Sequence, residues 1–392
     1  MTSIDPAALA THYTRFRVSE RLLLTGHSHQ AWPDCGFEGQ QRAWLDAAEF
    51  VDDKWGRAFA QADRVRAGFA RLLDDRPERI ALGASTHDLL LRFLSGLPLR
   101  TRPRLVTTDG EYHTIRRQLD RLTEEGVEIV RVAAEPVHEL AARLADALDD
   151  RTAAVLVSAV LFRSAHIVPG LAEIARAARH AGAEILVDAY HAVNVIPFEL
   201  PRLGLTDAYV VGGGYKYCQL GEGNCFLRFP EHCAMRPVIT GWFSEFAAIA
   251  DADHAAKVRY GAGPARFAGS TYDPTSHYRA AEVFDFFERE ALTPERLRET
   301  SRHQIGLLAG AFDALDLDPA VIARDPARPL DEVAGFLALT APRAETLYTA
   351  LKARGVLTDF RGDVLRLGPA PYLTDGQLRD AIAALGDAAG HS

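Results

Sequence analysis

Asp188-Ala-Tyr-His-Ala-Val-Asn194, then Val210-Val-Gly-Gly-Gly-Tyr-Lys-Tyr217 and Gly221-Glu-Gly-Asn-Cys225, is the stretch on which the reading of the fold turns. An apolar run from Ala183 to Val187 ends at the carboxylate of Asp188. A second run, Asp207 to Val211, ends in three glycines followed by Tyr215 and Lys216. This pattern sets a carboxylate and a lysine at the same ends of neighbouring strands. In a parallel sheet those carboxyl ends form the crevice where ligands bind, and the glycine run is read here as leaving the backbone before the lysine with little steric restriction.

Working outward, short β-rich runs recur at Arg104 to Thr108, Val127 to Val132, Ala153 to Ala159, Glu184 to Asp188, Asp207 to Val211 and Asn224 to Phe229. Helical patterns at Tyr112 to Glu125, His138 to Leu148 and Leu171 to Ala181 separate several of them. Alternation of strand and helix predicts an α/β fold with a mostly parallel sheet between layers of helices. Upstream, Phe37 to Asp74 reads as one long amphipathic helical stretch whose aromatics belong to core or to a dimer surface. Downstream, Phe243 to Lys257 reads as loop plus helix and Ser276 to Leu308 as strongly helical. Val321 to Ser392 reads as a smaller α+β domain with elements at Val333 to Thr340, Ala341 to Arg354 and Gln377 to Leu385. Three parts are expected: an amino-terminal segment 1–55 that packs on the small domain and closes the site, a large domain 56–265, and a small carboxy-terminal domain 266–392.

The 392 residues are 48% apolar, enough to bury two cores, and the net charge of -9 with no basic block gives no footprint for nucleic acid. No run approaches a membrane span and Met1 to Glu20 lacks a signal-peptide core, so a soluble cytoplasmic protein is expected. Cys35, Cys218, Cys225 and Cys233 have no metal-ligand spacing and read as buried, reduced thiols; no metal is expected. Gly212 to Gly214 is not a dinucleotide fingerprint, because the G-x-G-x-x-G spacing is missing.

A lysine that can form a Schiff base, opposite an acid, is what pyridoxal phosphate asks of a protein: an amine for its aldehyde and a carboxylate to keep its pyridine nitrogen protonated. Lys216 is the candidate anchor and Asp188 the candidate acid. A phosphate cradle is then needed. Ser85 and Thr86, at the first turn of the apolar helix Leu89 to Leu94, are either simple caps or that cradle, since free N–H groups and the helix dipole bind phosphate. Tyr112, or His113 beside it, could stack on a flat ring at the ligand edge; a core aromatic is the alternative. The loop Gly26-His-Ser-His-Gln-Ala-Trp-Pro33 gathers polar and aromatic groups that could close over a substrate, with His27 and Ser28 turned to the site and His29 open.

Taken together, Asp188-Ala-Tyr-His191 with Ala192-Val193, Gly214-Tyr-Lys-Tyr217, Gly241-Trp-Phe243, Arg266-Phe-Ala-Gly-Ser270, and Arg354-Gly-Val-Leu-Thr-Asp-Phe-Arg361 leading to Val364-Leu-Arg-Leu-Gly-Pro-Ala-Pro371 resemble kynureninase, in the class V aminotransferase branch of the fold-type-I pyridoxal phosphate enzymes. The resemblance runs from about residue 20 to about residue 385. It implies a fold-type-I transferase architecture with Lys216 as Schiff-base lysine and general base, Asp188 as pyridinium partner, and His191 beside the cofactor. It also implies Tyr215 and Trp242 at the phosphate, the tryptophan arriving from the second subunit of a homodimer; Tyr215 is the candidate proton relay near the phosphate and Cβ. Ser85 and Thr86 would hold the phosphate, Tyr112 would stack on the ring, and Arg366 would bind the substrate α-carboxylate. The reaction implied is hydrolytic cleavage of the Cβ–Cγ bond of L-kynurenine or a related amino acid, releasing alanine.

The chain departs from the family at three stretches: around Asp52, Asp53 and Lys54, at His27-Ser-His29, and at Gly269-Ser-Thr-Tyr-Asp-Pro274 with Ser270. All three would line the substrate side-chain pocket. The cofactor chemistry is therefore expected to be retained while the substrate is open. Another class V reaction (aminotransferase, C–S or C–N lyase, epimerase) is the alternative, and a non-catalytic cofactor-binding dimer is a third reading.

Overall fold

The computed structural model describes residues 4–248 and 257–390. Its strands are β1 (Leu22–Leu23), β2 (Ile80–Gly83), β3 (Arg104–Thr108), β4 (Glu128–Val132), β5 (Thr152–Ser158), β6 (Glu184–Asp188), β7 (Tyr209–Gly213), β8 (Cys225–Arg228), β9 (Leu337–Thr340), β10 (Val356–Leu357), β11 (Asp359–Arg361) and β12 (Val364–Leu367). The main sheet has seven strands in the order β2-β8-β7-β6-β5-β3-β4. β4, β3, β5, β6 and β7 run parallel, and β8 is antiparallel to both β7 and β2.

The strands read as nearly unbroken apolar runs because both faces of the sheet are covered. Successive side chains alternate between faces, so Val155 and Val157 of β5 enter one core while Ala154 and Leu156 enter the other. The smaller region carries the sheet β11-β12-β9. It is tied back to the amino-terminal segment by the parallel pair β1–β10 and by a bridge between Thr25 and Gly368. This is the α/β architecture expected from the sequence, a mostly parallel sheet with a smaller carboxy-terminal region beside it.

Some elements differ from expectation. The stretch Phe37 to Asp74 is two helices, Cys35–Phe50 and Lys54–Leu73. They break where Val51 adopts φ 46 and Asp52 and Asp53 follow, short polar side chains that favour helix ends. Trp44, on the first of these helices, is exposed. The edge strand β2 was not expected at all. Of Phe243 to Lys257, residues 249–256 lie outside the described residues, and Trp242–Ala248 forms a 3-10 helix.

One buried ion pair clamps the edge of the large sheet. Arg228 on β8, fully buried, donates from Nε to Asp75 at 2.5 Å and from Nη1 to the carbonyl of Ala208 at 2.7 Å. Arg228→Ala would leave the Asp75 carboxylate with Arg79 as its one remaining cation, 3.3 Å away, and the Arg76 N–H at 2.8 Å. Removing one partner of a buried pair costs several kcal/mol, so a loss of about 3 kcal/mol is expected, read as a lower urea midpoint at unchanged slope.

Candidate active site

The end of β6 delivers Asp188, and the chain then turns tightly. Ala189 N–H donates to Val211 O at 2.8 Å and Tyr190 N–H to Asp188 Oδ1 at 2.9 Å, which aims the carboxylate and brings His191 back over the sheet edge. Asn194, at φ 68, closes that turn and donates from Nδ2 to Tyr217 O at 2.9 Å, joining it to the lysine loop. The three glycines before Lys216 serve packing more than backbone freedom. None has positive φ; a Cβ on Gly212 would meet the Phe226 ring at 2.8 Å, one on Gly213 the Tyr190 hydroxyl at 2.5 Å and its ring at 2.6 Å, and one on Gly214 Leu220 at 2.6 Å.

Lys216, Asp188, His191, Tyr215, Tyr112 and Thr86 line one cavity, with Ser158, Phe162 and Tyr190 among its other walls. Lys216 Nζ lies 2.7 Å from His191 Nε2 and 4.5 Å, 5.4 Å and 5.9 Å from the ring centres of Tyr190, Tyr112 and Tyr215. Burial pulls the Lys216 amine down to about 7, against the opposing charge of Asp188 and with help from Arg366. Burial, then the charges of Lys216 and Arg366, hold His191 well below the usual imidazole range, so it is neutral at neutral pH. Burial also raises the carboxyl of Asp188 and takes the Tyr215 phenol to about 12.

A neutral amine is the nucleophile, so loading of cofactor-free protein with pyridoxal phosphate is expected to accelerate with pH through an inflection near 7. An ordinary lysine would respond near 10. Because the unfolded chain keeps the proton that folding expels, this lysine's contribution to stability rises with pH from about 7 up to the ordinary lysine value.

Ser85 caps the helix Thr86–Ser95, its Oγ accepting from Asp88 N–H at 3.1 Å, and Thr86, which opens the first turn, lines the cavity. Arg366 is buried on β12. His27, also buried, meets Asp359 on β11 at 2.7 Å. Ser28 Oγ donates back to Thr25 O at 3.0 Å. His29 stacks on Tyr215, rings 4.8 Å apart and 16° from parallel. Ser270 lines a separate, larger cleft with Asp88, Arg92 and Phe243, and Trp242 is exposed against Phe243 and Phe246. Within one chain neither joins the Lys216 cavity.

Sequence reading missed four contributors. Tyr190 lay inside the quoted motif, but only the structure turns its ring toward the lysine. Ser158, the one polar residue ending an apolar strand, faces Asp188 across β5–β6. Its hydroxyl donates to Glu111 at 2.6 Å; burial pushes that carboxyl up to about 7 although Ser158 and Thr108 bond to it. Asp359 is the fourth.

These residues fit pyridoxal phosphate. A buried amine brought down to about 7 and a carboxylate line one cavity walled by aromatic rings, Thr86 of a capped helix terminus lines it too, and His191 Nδ1 is buried without a partner. The Kynureninase C-terminal domain family matches residues 297–385, which include Asp359 and Arg366. That segment is similar to the carboxy-terminal domain of kynureninase, and the similarity extends over most of the chain. Kynureninase of Xanthomonas oryzae is 28% identical over 377 residues, covering 85% of this chain and 84% of that one. Kynureninase of Bacillus cereus is 24% identical, covering 90% and 80%. An uncharacterized aminotransferase of Bacillus subtilis is 23% identical, covering 86% and 87%. Among solved structures, C-DES with glycine covalently linked to its pyridoxal phosphate cofactor superposes with a TM-score of 0.83 at 16% identity, covering 96% and 99%. A cysteine desulfurase from Thermococcus onnurineus superposes at 0.82 and 15%, covering both chains fully. The cofactor of this kynureninase-like enzyme is pyridoxal phosphate.

Proposed function

We propose that the enzyme hydrolyses the Cβ–Cγ bond of L-kynurenine or a close relative, giving alanine and an aromatic acid. The observation that carries this reading is the run of kynureninases matched over most of the chain, together with the kynureninase family match across the segment that bears Arg366. When bound, pyridoxal phosphate supplies a carbonyl for the substrate amine and a ring that accepts electrons from Cα. Arg366 pairs with the substrate α-carboxylate, for which a guanidinium offers two parallel hydrogen bonds. Lys216, whose amine burial brings down to about 7, takes the proton from Cα and holds it beside His191. Asp188 stays ionised once a cationic ring nitrogen faces it. Tyr215, whose phenol keeps its proton, can pass it toward Cβ. Ser85 and Thr86 hold the phosphate, His27 and Ser28 belong to the substrate side, and Trp242 and Ser270 complete a neighbouring site in a cytoplasmic homodimer.

Adding L-kynurenine or its 3-hydroxy form to holoenzyme is expected to release alanine with anthranilate-type fluorescence. Silence with both removes this substrate. Transamination is the second reading, favoured by the Bacillus subtilis aminotransferase relative and by the altered substrate loops. An amino acid that converts the cofactor to its pyridoxamine form, followed by absorbance, would select it.

A further inference from the structure

The arginine proposed to take the substrate carboxylate already holds one. Arg366 donates from Nε to Asp359 Oδ1 at 2.8 Å and from Nη2 to Oδ2 at 2.5 Å, while Nη1 donates to the carbonyl of Phe162 at 2.6 Å. The two residues face each other across the antiparallel pair β11–β12, so their meeting is built into the register. Asp359 has two further neighbours. His27 Nε2 lies 2.7 Å from Oδ1 and Arg361 Nη2 3.5 Å from Oδ2. His27 Nδ1 is buried without a partner, so the ring proton sits on Nε2 and points at Asp359.

A charge count and a hydrogen count follow. Two guanidiniums, buried Arg366 and partly exposed Arg361, share one carboxylate, so the trio carries one net positive charge next to Phe162, a wall of the Lys216 cavity. A guanidinium has five N–H groups in one plane. Asp359 takes the side-on pair and Phe162 a third. With Phe162 on the outer hydrogen of Nη1, the two that remain, one on each terminal nitrogen, form the end-on edge, which matches a second carboxylate with two parallel bonds.

We propose that Asp359 is a positioning residue: it grips the side-on edge of Arg366 so that the end-on edge is presented to the carboxylate of an incoming amino acid, which supplies the missing negative charge. This rests on the reading of Arg366 given above and is independent of the bond cleaved afterwards.

The test compares L-alanine with L-alaninamide, which differ only in the carboxylate, as ligands of the holoenzyme titrated by cofactor absorbance. In the native enzyme alanine binds more tightly than the amide. In Asp359→Asn, alanine is expected to weaken by about tenfold, the weight of one charge-assisted hydrogen bond, with alaninamide unchanged. Equal weakening of both would mark a merely structural role. No change, or tighter binding of alanine, would mean that Asp359 competes for Arg366 instead of orienting it. Each of these results overturns the proposal. If Asp359→Asn does not retain cofactor, Asp359→Glu, which moves the charge by one methylene, is read the same way: an intermediate preference is expected and a native one overturns it. Should the native enzyme bind the two ligands equally, the role of Arg366 itself falls, and this proposal with it, whatever the kynurenine assay shows.

Discussion

Lys216→Ala is expected to abolish both covalent capture of pyridoxal phosphate and proton removal from the substrate. Its amine is the one that burial has brought down to about 7 within this cavity, and no other lysine lines it. Borohydride treatment of the native protein with cofactor should add the cofactor's mass to the peptide bearing Lys216, and the variant should gain none at its active site. Exchange of the α-hydrogen of L-alanine with deuterated solvent, followed by NMR, should fall by on the order of 10⁴ or more, since the variant loses an acid–base group as well as an anchor. His191 cannot stand in as the base. Its Nε2 is 2.7 Å from the lysine nitrogen, a hydrogen bond's length, and truncation at Cβ leaves a gap where the proton carrier was. A borohydride-stable link at the active site of the variant would refute the assignment of the anchor.

The second large effect is expected at Asp188. Asp188→Asn keeps the shape of the carboxylate and can still accept from Tyr190 N–H through its oxygen, so the turn that carries His191 should survive. An amide cannot hold a ring nitrogen in its charged form. α-Hydrogen exchange should therefore drop by at least about 10²-fold, the scale of losing one aimed electrostatic contact, while thermal stability changes little. Unimpaired exchange would sink the role assigned to the carboxylate.

Much of this site was legible because its parts are local. Asp188 to His191 is one turn and Gly212 to Lys216 one strand exit, and period and strand order bring both to the same edge. Even there the glycines were explained by the wrong cause: their lack of Cβ makes room for Phe226, Tyr190 and Leu220, side chains that no local pattern connects to them. The edge strand Ile80–Gly83 escaped notice since four residues after a turn carry too little periodicity, and its partner β8 lies far along the chain. Asp359 was quoted as part of a motif but given no role, because its pairing with Arg366 and His27 needs both a cross-strand register and a contact across more than three hundred residues. The helix break at Val51 is a tertiary choice too, made by the two helices as both pack against Thr275–Arg289.

The seam between the amino-terminal loop and the carboxy-terminal sheet has a consequence for biosynthesis. Leu22 and Leu23 pair with Val356 and Leu357, and Thr25 with Gly368, so the strand that leads into the loop carrying His27 and His29 receives these backbone partners only when nearly the whole polypeptide has left the ribosome. Until then the nascent chain displays an unzipped strand, and a protein truncated before residue 356 would keep every wall of the Lys216 cavity yet lack Asp359 and Arg366, the groups assigned to the substrate carboxylate.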